Sequence, residues 1–391
     1  MAITLVVNPG SSSKKYAIYQ DSDLLISAYI ERSEDGFEMC TAVRGTQQKC
    51  ELLPRQDYQT SLRNFFDLAL TEQVVTSTTE IKVVAVRIVA PGTFFQKHQL
   101  IDDRFMKELS KCVDLAPLHV PHMQKEISAL RQIIPHAKFV AVSDSAFHAS
   151  LPESARNYSL PSEVATELDL FRFGYHGLSV GAVLGRLHAV TGHDPKRVIV
   201  CHLGSGVSVT ATKDGQSIDT TMGFAPGSGL VMGSRAGDLD AGALLTLMQS
   251  RNLKPKDAQM YLQTIGGLKG LSGESDLRFI LDRRAKGDKL ATQAIASFVY
   301  QIKKAIGAYF AVLNGLDTLV FTATAGERSS VLRALITAEL SSLGILLDKD
   351  KNELTISRDG VISDISAKVK VVVIKVDEAK EILHASQTVV E

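Results

Sequence analysis

The feature that most constrains this fold is a pattern found once in each half of the chain. Residues 3–7 form a short β-branched run, stopped by Asn8-Pro9-Gly10-Ser11-Ser12-Ser13 and resumed at 15–19. Residues 197–201 form another, stopped by His202-Leu203-Gly204-Ser205-Gly206 and resumed at 207–212. Both read as strand, small-residue turn, strand. Two halves that open alike predict a duplicated α/β unit. Further strands are expected at 24–31, 83–89, 138–142, 319–322 and 369–376, and helical periodicity marks 61–70, 122–134, 290–313 and 329–343. Such alternation argues for α/β architecture. A chain of 391 residues predicts two domains. Without a low-complexity linker they are expected to share a hinge and to bind ligands in the cleft between them.

Lysine plus arginine equals aspartate plus glutamate, 43 each, so no net field draws the chain to nucleic acid or to a membrane. No apolar run approaches the ~18 residues of a membrane span, and residues 1–8 lack a basic region before their short apolar stretch. Cys40, Cys50, Cys112 and Cys201 are scattered without a C-x-x-C pair, which predicts reduced thiols in a cytoplasmic protein.

Several segments carry groups suited to anion chemistry. The turn at 8–15 ends in Lys14-Lys15 and can offer backbone N–H groups, hydroxyls and a point charge to phosphate; it reads equally as a hairpin with solvated serines. Gly204 and Gly206 would let the backbone approach an anion closely. Residues 219–238 contain too many glycines for regular structure and carry Arg235, which could clamp a carboxylate or phosphate, or pair with Asp238 or Asp240. Asp144 follows a strand, as a magnesium-linked acid or a turn cap. Arg87 lies in an apolar strand, where an unpaired charge is costly; a structural carboxylate or an anionic substrate would answer it. His176 stands between glycines at the head of a helix, with a surface position as the plain alternative.

Taken in order, these segments resemble the acetate kinase family across essentially the whole chain. The similarity rests on N-x-G-S-S-S-x-K (Asn8 to Lys15), Arg87, A-P-L-H (Ala116 to His119), D-x-A-F-H (Asp144 to His148) and G-[FY]-H-G (Gly174 to Gly177). It continues through C-H-L-G-x-G (Cys201 to Gly206), D-T-x-M-G-F-x-P…G-L-x-M-G-x-R-x-G-D (Asp219 to Asp238), D-x-R (Asp276 to Arg278) and Glu378. The resemblance implies the duplicated actin-like, ribonuclease H-like fold, with one domain at 1–147 completed by 379–391 and a nucleotide-binding domain at 148–378. It implies reversible phosphoryl transfer from ATP to acetate with magnesium or manganese, in a cytoplasmic homodimer.

Carried onto these positions, the resemblance gives Asn8 and Glu378 to the metal, and Arg87, Asp144, His176 and Arg235 to catalysis. Arg87, Val89, Leu118 and Pro226 fall to the carboxylate substrate. Lys15, His202, Leu203, Gly204, Ser205 and Gly206 face the nucleotide, as do Asp276, Leu277 and Arg278 and a loop of Thr324, Ala325, Gly326, Glu327, Arg328. Departures lie at the rim. Ala90-Pro91-Gly92-Thr93 replaces H-G-G-E, Ser205 an asparagine, Leu277 a bulkier residue, and 324–328 keeps only a glycine and the glutamate of G-I-G-E-N. Propionate or butyrate as acceptor, GTP or pyrophosphate as donor, and a non-catalytic sensor are the competing readings. Retention of Asn8, Arg87, Asp144, His176, Arg235 and Glu378 together speaks against the sensor.

Overall fold

The β-branched runs become central strands of two sheets in the computed structural model, which describes residues 2–10, 13–32, 37–53 and 61–390. Ser11 and Ser12 of the first turn lie outside the described residues. The chain divides into two units, Met1–Ala146 with Asp377–Glu391, and Phe147–Val376, so Glu378 belongs to the first.

The first unit holds strands β1 (Ile3–Pro9), β2 (Ser13–Gln20), β3 (Asp23–Arg32), β4 (Phe37–Val43), β5 (Lys49–Leu53), β6 (Ile81–Ile88), β7 (Gln99–Leu100) and β8 (Lys138–Ser143). They form one sheet in the order β5-β4-β3-β2-β1-β6-β8-β7. From β1 to β5 neighbours are antiparallel, whereas β6 runs parallel to both β1 and β8. Alternation decides which face is covered. Leu5, Val7, Tyr16, Ile18, Ile26 and Ile30 are buried together with Phe65 and Phe66 of helix Ser61–Thr71 and Met123 and Ile127 of helix Val120–Ile133. Each such side chain contributes ~1.5–3 kcal/mol by leaving water. The opposite face receives helix Glu378–Val390, which packs on β8, β6, β1 and β2.

The second unit holds β9 (Arg197–Leu203), β10 (Val207–Lys213), β11 (Gln216–Thr220), β12 (Thr318–Thr322), β13 (Gly360–Val361) and β14 (Lys370–Val373), in the order β11-β10-β9-β12-β14-β13. Here β9 is antiparallel to β10, β10 to β11, and β12 is parallel to both β9 and β14. The cores β3-β2-β1-β6-β8 and β11-β10-β9-β12-β14 therefore share strand order and direction, which is the duplicated ribonuclease H-like arrangement of the actin-like class. Residues 221–240 carry no regular structure, as their glycines predict.

Three expectations are corrected. Cys40 and Cys50 are not reduced thiols: β4 and β5 pair them directly, with Cα atoms 4.0 Å apart, and they form a disulfide. Cys112 and Cys201 are buried and stand outside any disulfide. The helix expected at 329–343 runs only from Ser330 to Thr337, because Glu339 takes a left-handed φ of 66° that α-helix does not allow. The stretch 324–328 is not a loop; it lies within helix Ala323–Arg328. Among the described residues, no helix is long and apolar enough to cross a membrane.

Candidate active site

In the first unit, the carboxyl ends of three adjacent parallel strands bring together Asn8 on β1, Arg87 on β6 and Asp144 just past β8. The Asp144 N–H donates to the Ile88 carbonyl (2.9 Å), extending the ladder by one residue and aiming its carboxylate at Arg87. Strand carboxyl ends are where open α/β sheets bind ligands. Arg87 is held by a fork: Nε and Nη2 donate to the two oxygens of Asp144 at 3.2 and 3.0 Å. Its Nη1 reaches Asn8 Oδ1 at 3.3 Å and Glu378 Oε2 at 3.5 Å. Asn8 Nδ2 donates to Glu378 Oε2 (2.8 Å), which the final helix delivers from its first turn. Asp144 is fully buried. Burial opposes the charge of Arg87, but Asp144 and then Glu378 raise its pKa above the ordinary value. Asn8, Asp144 and Glu378 offer only oxygen donors, a set that fits a hard divalent cation rather than a soft metal.

Strand alternation separates the two turn lysines, which the sequence leaves side by side. Lys14 points toward the helices and pairs with Glu126 (3.0 Å), whose carboxylate also accepts from the Tyr16 hydroxyl. Lys15 points to the other face, 3.9 Å from Glu378 and over the ring of Tyr29. Val89 and Leu118 are half-buried in this unit, and the Val89 N–H faces Met123 Sδ.

His98 is a supporting residue that sequence reasoning passes over. Its Nδ1 accepts the Ser143 N–H (3.0 Å), bracing the end of β8 beside Asp144. Burial holds its pKa below the ordinary 6.5. The unfolded chain therefore takes the proton first: this contribution to stability is complete above pH 6.5 and is lost as pH falls toward the folded pKa. The loss in urea midpoint between pH 7 and pH 5 should be larger for the parent than for His98→Gln; equal losses would remove His98 from the account.

In the second unit, β9 and β10 are joined by Gly204, Ser205 and Gly206, with the Gly204 N–H donating to the Gly206 carbonyl (3.0 Å). His176 is not at the surface. It caps helix Gly177–Thr191 in a left-handed conformation (φ 61°) and is buried, with Nδ1 2.9 Å from the Ser208 hydroxyl. Its ring stacks on that of His202 at 3.9 Å, and His202 Nδ1 lies 2.8 Å from the Ser179 hydroxyl. A methyl at Gly206 would lie 2.9 Å from His176 Nε2 and 3.4 Å from Arg235 Nη1, so the turn, the histidine and the arginine share one place. Arg235 Nη1 donates to the Pro226 carbonyl (3.0 Å). Asp238 accepts from the Gly229 N–H and Asp240 caps the next helix. His148, from the D-x-A-F-H segment, supports this site from below: Nε2 donates to the Tyr175 carbonyl and Nδ1 accepts from Ser217.

The remaining residues sit further along the same unit. Leu203 is buried, whereas Ser205 is exposed. Gly326 of the short helix packs on Leu203, Glu327 is buried with its pKa raised by burial, and Thr324 and Arg328 are exposed. The last turn of that helix is tied by Arg333, which is fully buried and donates to the Gly326 and Glu327 carbonyls. Asp276 caps helix Leu277–Ala285 and pairs with Arg278.

Hard oxygen donors beside fixed cations, and a glycine turn beside a histidine and an arginine, are groups that handle polyphosphate. Fold and site together define a phosphotransferase. The profile of the acetokinase family matches residues 3–384. The acetate kinase of Dictyoglomus thermophilum is 38% identical, with 98% of each chain covered. Among solved structures, Porphyromonas gingivalis acetate kinase matches with a TM-score of 0.86 at 31% identity, and a propionate kinase from Francisella tularensis with 0.90 at 30%, all of both chains being covered. This chain belongs to the acetokinase family.

Proposed function

We propose that the protein transfers a phosphoryl group reversibly from ATP to acetate, giving ADP and acetyl phosphate. The observation that carries this reading is the Asn8–Arg87–Asp144–Glu378 cluster at the strand ends, in a chain of this family. A carboxylate acceptor, with a pKa near the ~4.3 of glutamate, is ionised at neutral pH and needs no general base. The difficulty is repulsion between two anions, which fixed cations relieve. Arg87 and Arg235 orient the carboxylate and the moving phosphoryl group, and His176, its ring set by Ser208 and by the stack on His202, donates to the developing charge. Asp144 holds Arg87 rather than accepting a proton. Asn8 and Glu378 hold the metal, magnesium or manganese, which would neutralise part of the polyphosphate charge.

In this reading Lys15 and the turn at Gly204, Ser205 and Gly206 contact donor phosphates. Asp276, Leu277, Arg278 and residues 324–328 serve the nucleoside, while Val89, Leu118 and Pro226 surround the acceptor's methyl group. Use of ATP fits a cytoplasmic enzyme, and the family resemblance extends the reading to a homodimer. Propionate is the second acceptor to test, because the Francisella propionate kinase is similar over the whole chain and one methylene changes binding by only ~1–3 kcal/mol.

A hydroxamate assay over acetate, propionate and butyrate with ATP, GTP and pyrophosphate tests the reading. Acetyl hydroxamate should form with ATP and a divalent metal and vanish with chelator, and Glu378→Ala should raise the metal concentration required. Arg328 offers donors but no acceptor to a base, so GTP should serve within about tenfold of ATP. Acyl hydroxamate without metal, or from none of these acids, would overturn the assignment. Gly206→Ala is a second check. Its methyl would have to displace the ring of His176, so turnover should fall at least ~100-fold with little change in melting temperature.

A further inference from the structure

The face of the first sheet opposite helices Ser61–Thr71 and Val120–Ile133, on which helix Glu378–Val390 packs, carries one uninterrupted row of paired residues. Asn8 pairs with Lys15, Lys15 with Tyr29, Tyr29 with Cys40, and Cys40 with Cys50, each directly across neighbouring strands from β1 to the edge strand β5. Directly opposed side chains stand on the same face, ~4.5–5.5 Å apart at Cβ. Asn8, Lys15, Tyr29 and Cys40 all line one cavity of about 250 Å³. The row therefore runs from the cluster at the strand ends to the Cys40–Cys50 disulfide at the sheet edge.

Lys15 is the movable member. Its side chain is 46% exposed, its ammonium is 3.9 Å from Glu378, and it lies 5.4 Å from the centre of the Tyr29 ring. The cavity beside it leaves space for other rotamers, so the ring face and the Glu378 carboxylate are what hold the charge toward the strand ends. Tyr29 in turn stands between Lys15 and Cys40. Cys40 is fixed by its bond to Cys50, which closes the outermost strand pair of the sheet.

We propose that Tyr29 is a positioning residue for Lys15, and that the Cys40–Cys50 disulfide holds Tyr29 in that role, so that reducing the disulfide weakens the grip on the phosphoryl donor. This rests on the reading of Lys15 as a donor-phosphate contact. The co-reactant is a dithiol. Its thiolate attacks the sulfur of Cys50, which is exposed, and Cys40, which is 8% exposed, leaves as thiolate and takes a proton. The second thiol then closes on the mixed disulfide, leaving two cysteine thiols and the oxidised dithiol. Cys112 and Cys201 are buried and outside any disulfide, so the thiol chemistry is confined to this pair.

The test compares donor kinetics of the protein air-oxidised and after dithiothreitol, with the thiol count measured in each state. Reduction should raise the KM for ATP about three- to fivefold, the size of one partly exposed cation–π contact, with kcat unchanged within about twofold. Cys50→Ser should show the raised KM in both states. Tyr29→Leu should show it and ignore dithiothreitol, whereas Tyr29→Phe keeps the ring and should behave as the parent. Lys15→Met separates the two readings. If it leaves the KM for ATP unchanged, the donor-phosphate role of Lys15 is wrong and the inference falls with it. If Lys15→Met raises that KM while reduced parent and Cys50→Ser match the oxidised parent, the link to the disulfide alone is refuted. The reduced parent needs no substitution, so a poorly folding variant does not decide the matter.

Discussion

Replacing Arg87 by alanine is expected to cost both stability and turnover, about 3–5 kcal/mol of the first and at least ~100-fold of the second. The stability loss follows from Asp144, which is fully buried and would lose its forked partner; removing one member of a buried pair has that order of cost. The turnover loss follows from withdrawing a donor from a developing anion, roughly 2.7–4 kcal/mol. The two are separable. Arg87→Ala combined with Asp144→Asn should recover much of the stability, since no buried charge is left unpaired, and none of the turnover. Urea unfolding of both variants beside hydroxamate kinetics reads the difference. An Arg87→Ala protein as stable as the parent would mean that Asp144 finds another partner, and one with full turnover would remove Arg87 from the reaction.

The other large effect is expected at Arg333→Met. The guanidinium is fully buried and donates to Asn352 Oδ1 and to the carbonyls of Gly326, Glu327, Asn352 and Thr355. Burial lowers its pKa to about 10, still charged at neutral pH. Two of those carbonyls belong to the last turn of helix Ala323–Arg328, where backbone oxygens lack helical partners and a cation is favoured. Methionine fills the volume but satisfies none of the five acceptors, so at least about 3 kcal/mol should be lost, or about 6–12 °C in melting temperature. The exposed neighbour Arg328, changed to alanine, should shift stability by less than ~0.5 kcal/mol. Thermal unfolding of the pair checks both, and a parent-like melt for Arg333→Met would show that those acceptors find other donors.

Much of this was readable from the residues. The β1–β2 and β9–β10 hairpins were visible because β-branched runs bounded by glycine, serine and asparagine fix both strand and turn locally. Arg87 inside an apolar run called for a partner, and the structure supplies Asp144, Asn8 and Glu378. The long helix Lys289–Val312 shows in its own period. What stayed hidden depends on register between distant segments. Cys40 and Cys50 lie in short, weakly patterned runs, and only the β4–β5 pairing makes them neighbours. Nothing local distinguishes Lys14 from Lys15 until the face of β2 is known. Ser208, Ser179 and His148 carry no sequence mark of the rings and carbonyls they hold, because those partners lie 23–69 residues away. Helix Ala323–Arg328 is too short to show a period, and it starts from a left-handed alanine at φ 64°.

The return of the chain to its first unit has a consequence in time. On the ribosome, β1, β6 and β8 emerge long before helix Glu378–Val390, roughly 230 residues separating Ala146 from Asp377. At 5–20 residues per second this is a wait of about 10–50 s. Throughout it Asn8 and Arg87 stand at their strand ends without the carboxylate of Glu378, and the sheet face that the helix covers is bare. The nascent chain therefore carries an unfinished oxygen-donor cluster and an uncovered apolar face until its final helix docks, and a product truncated before Asp377 would never close either one.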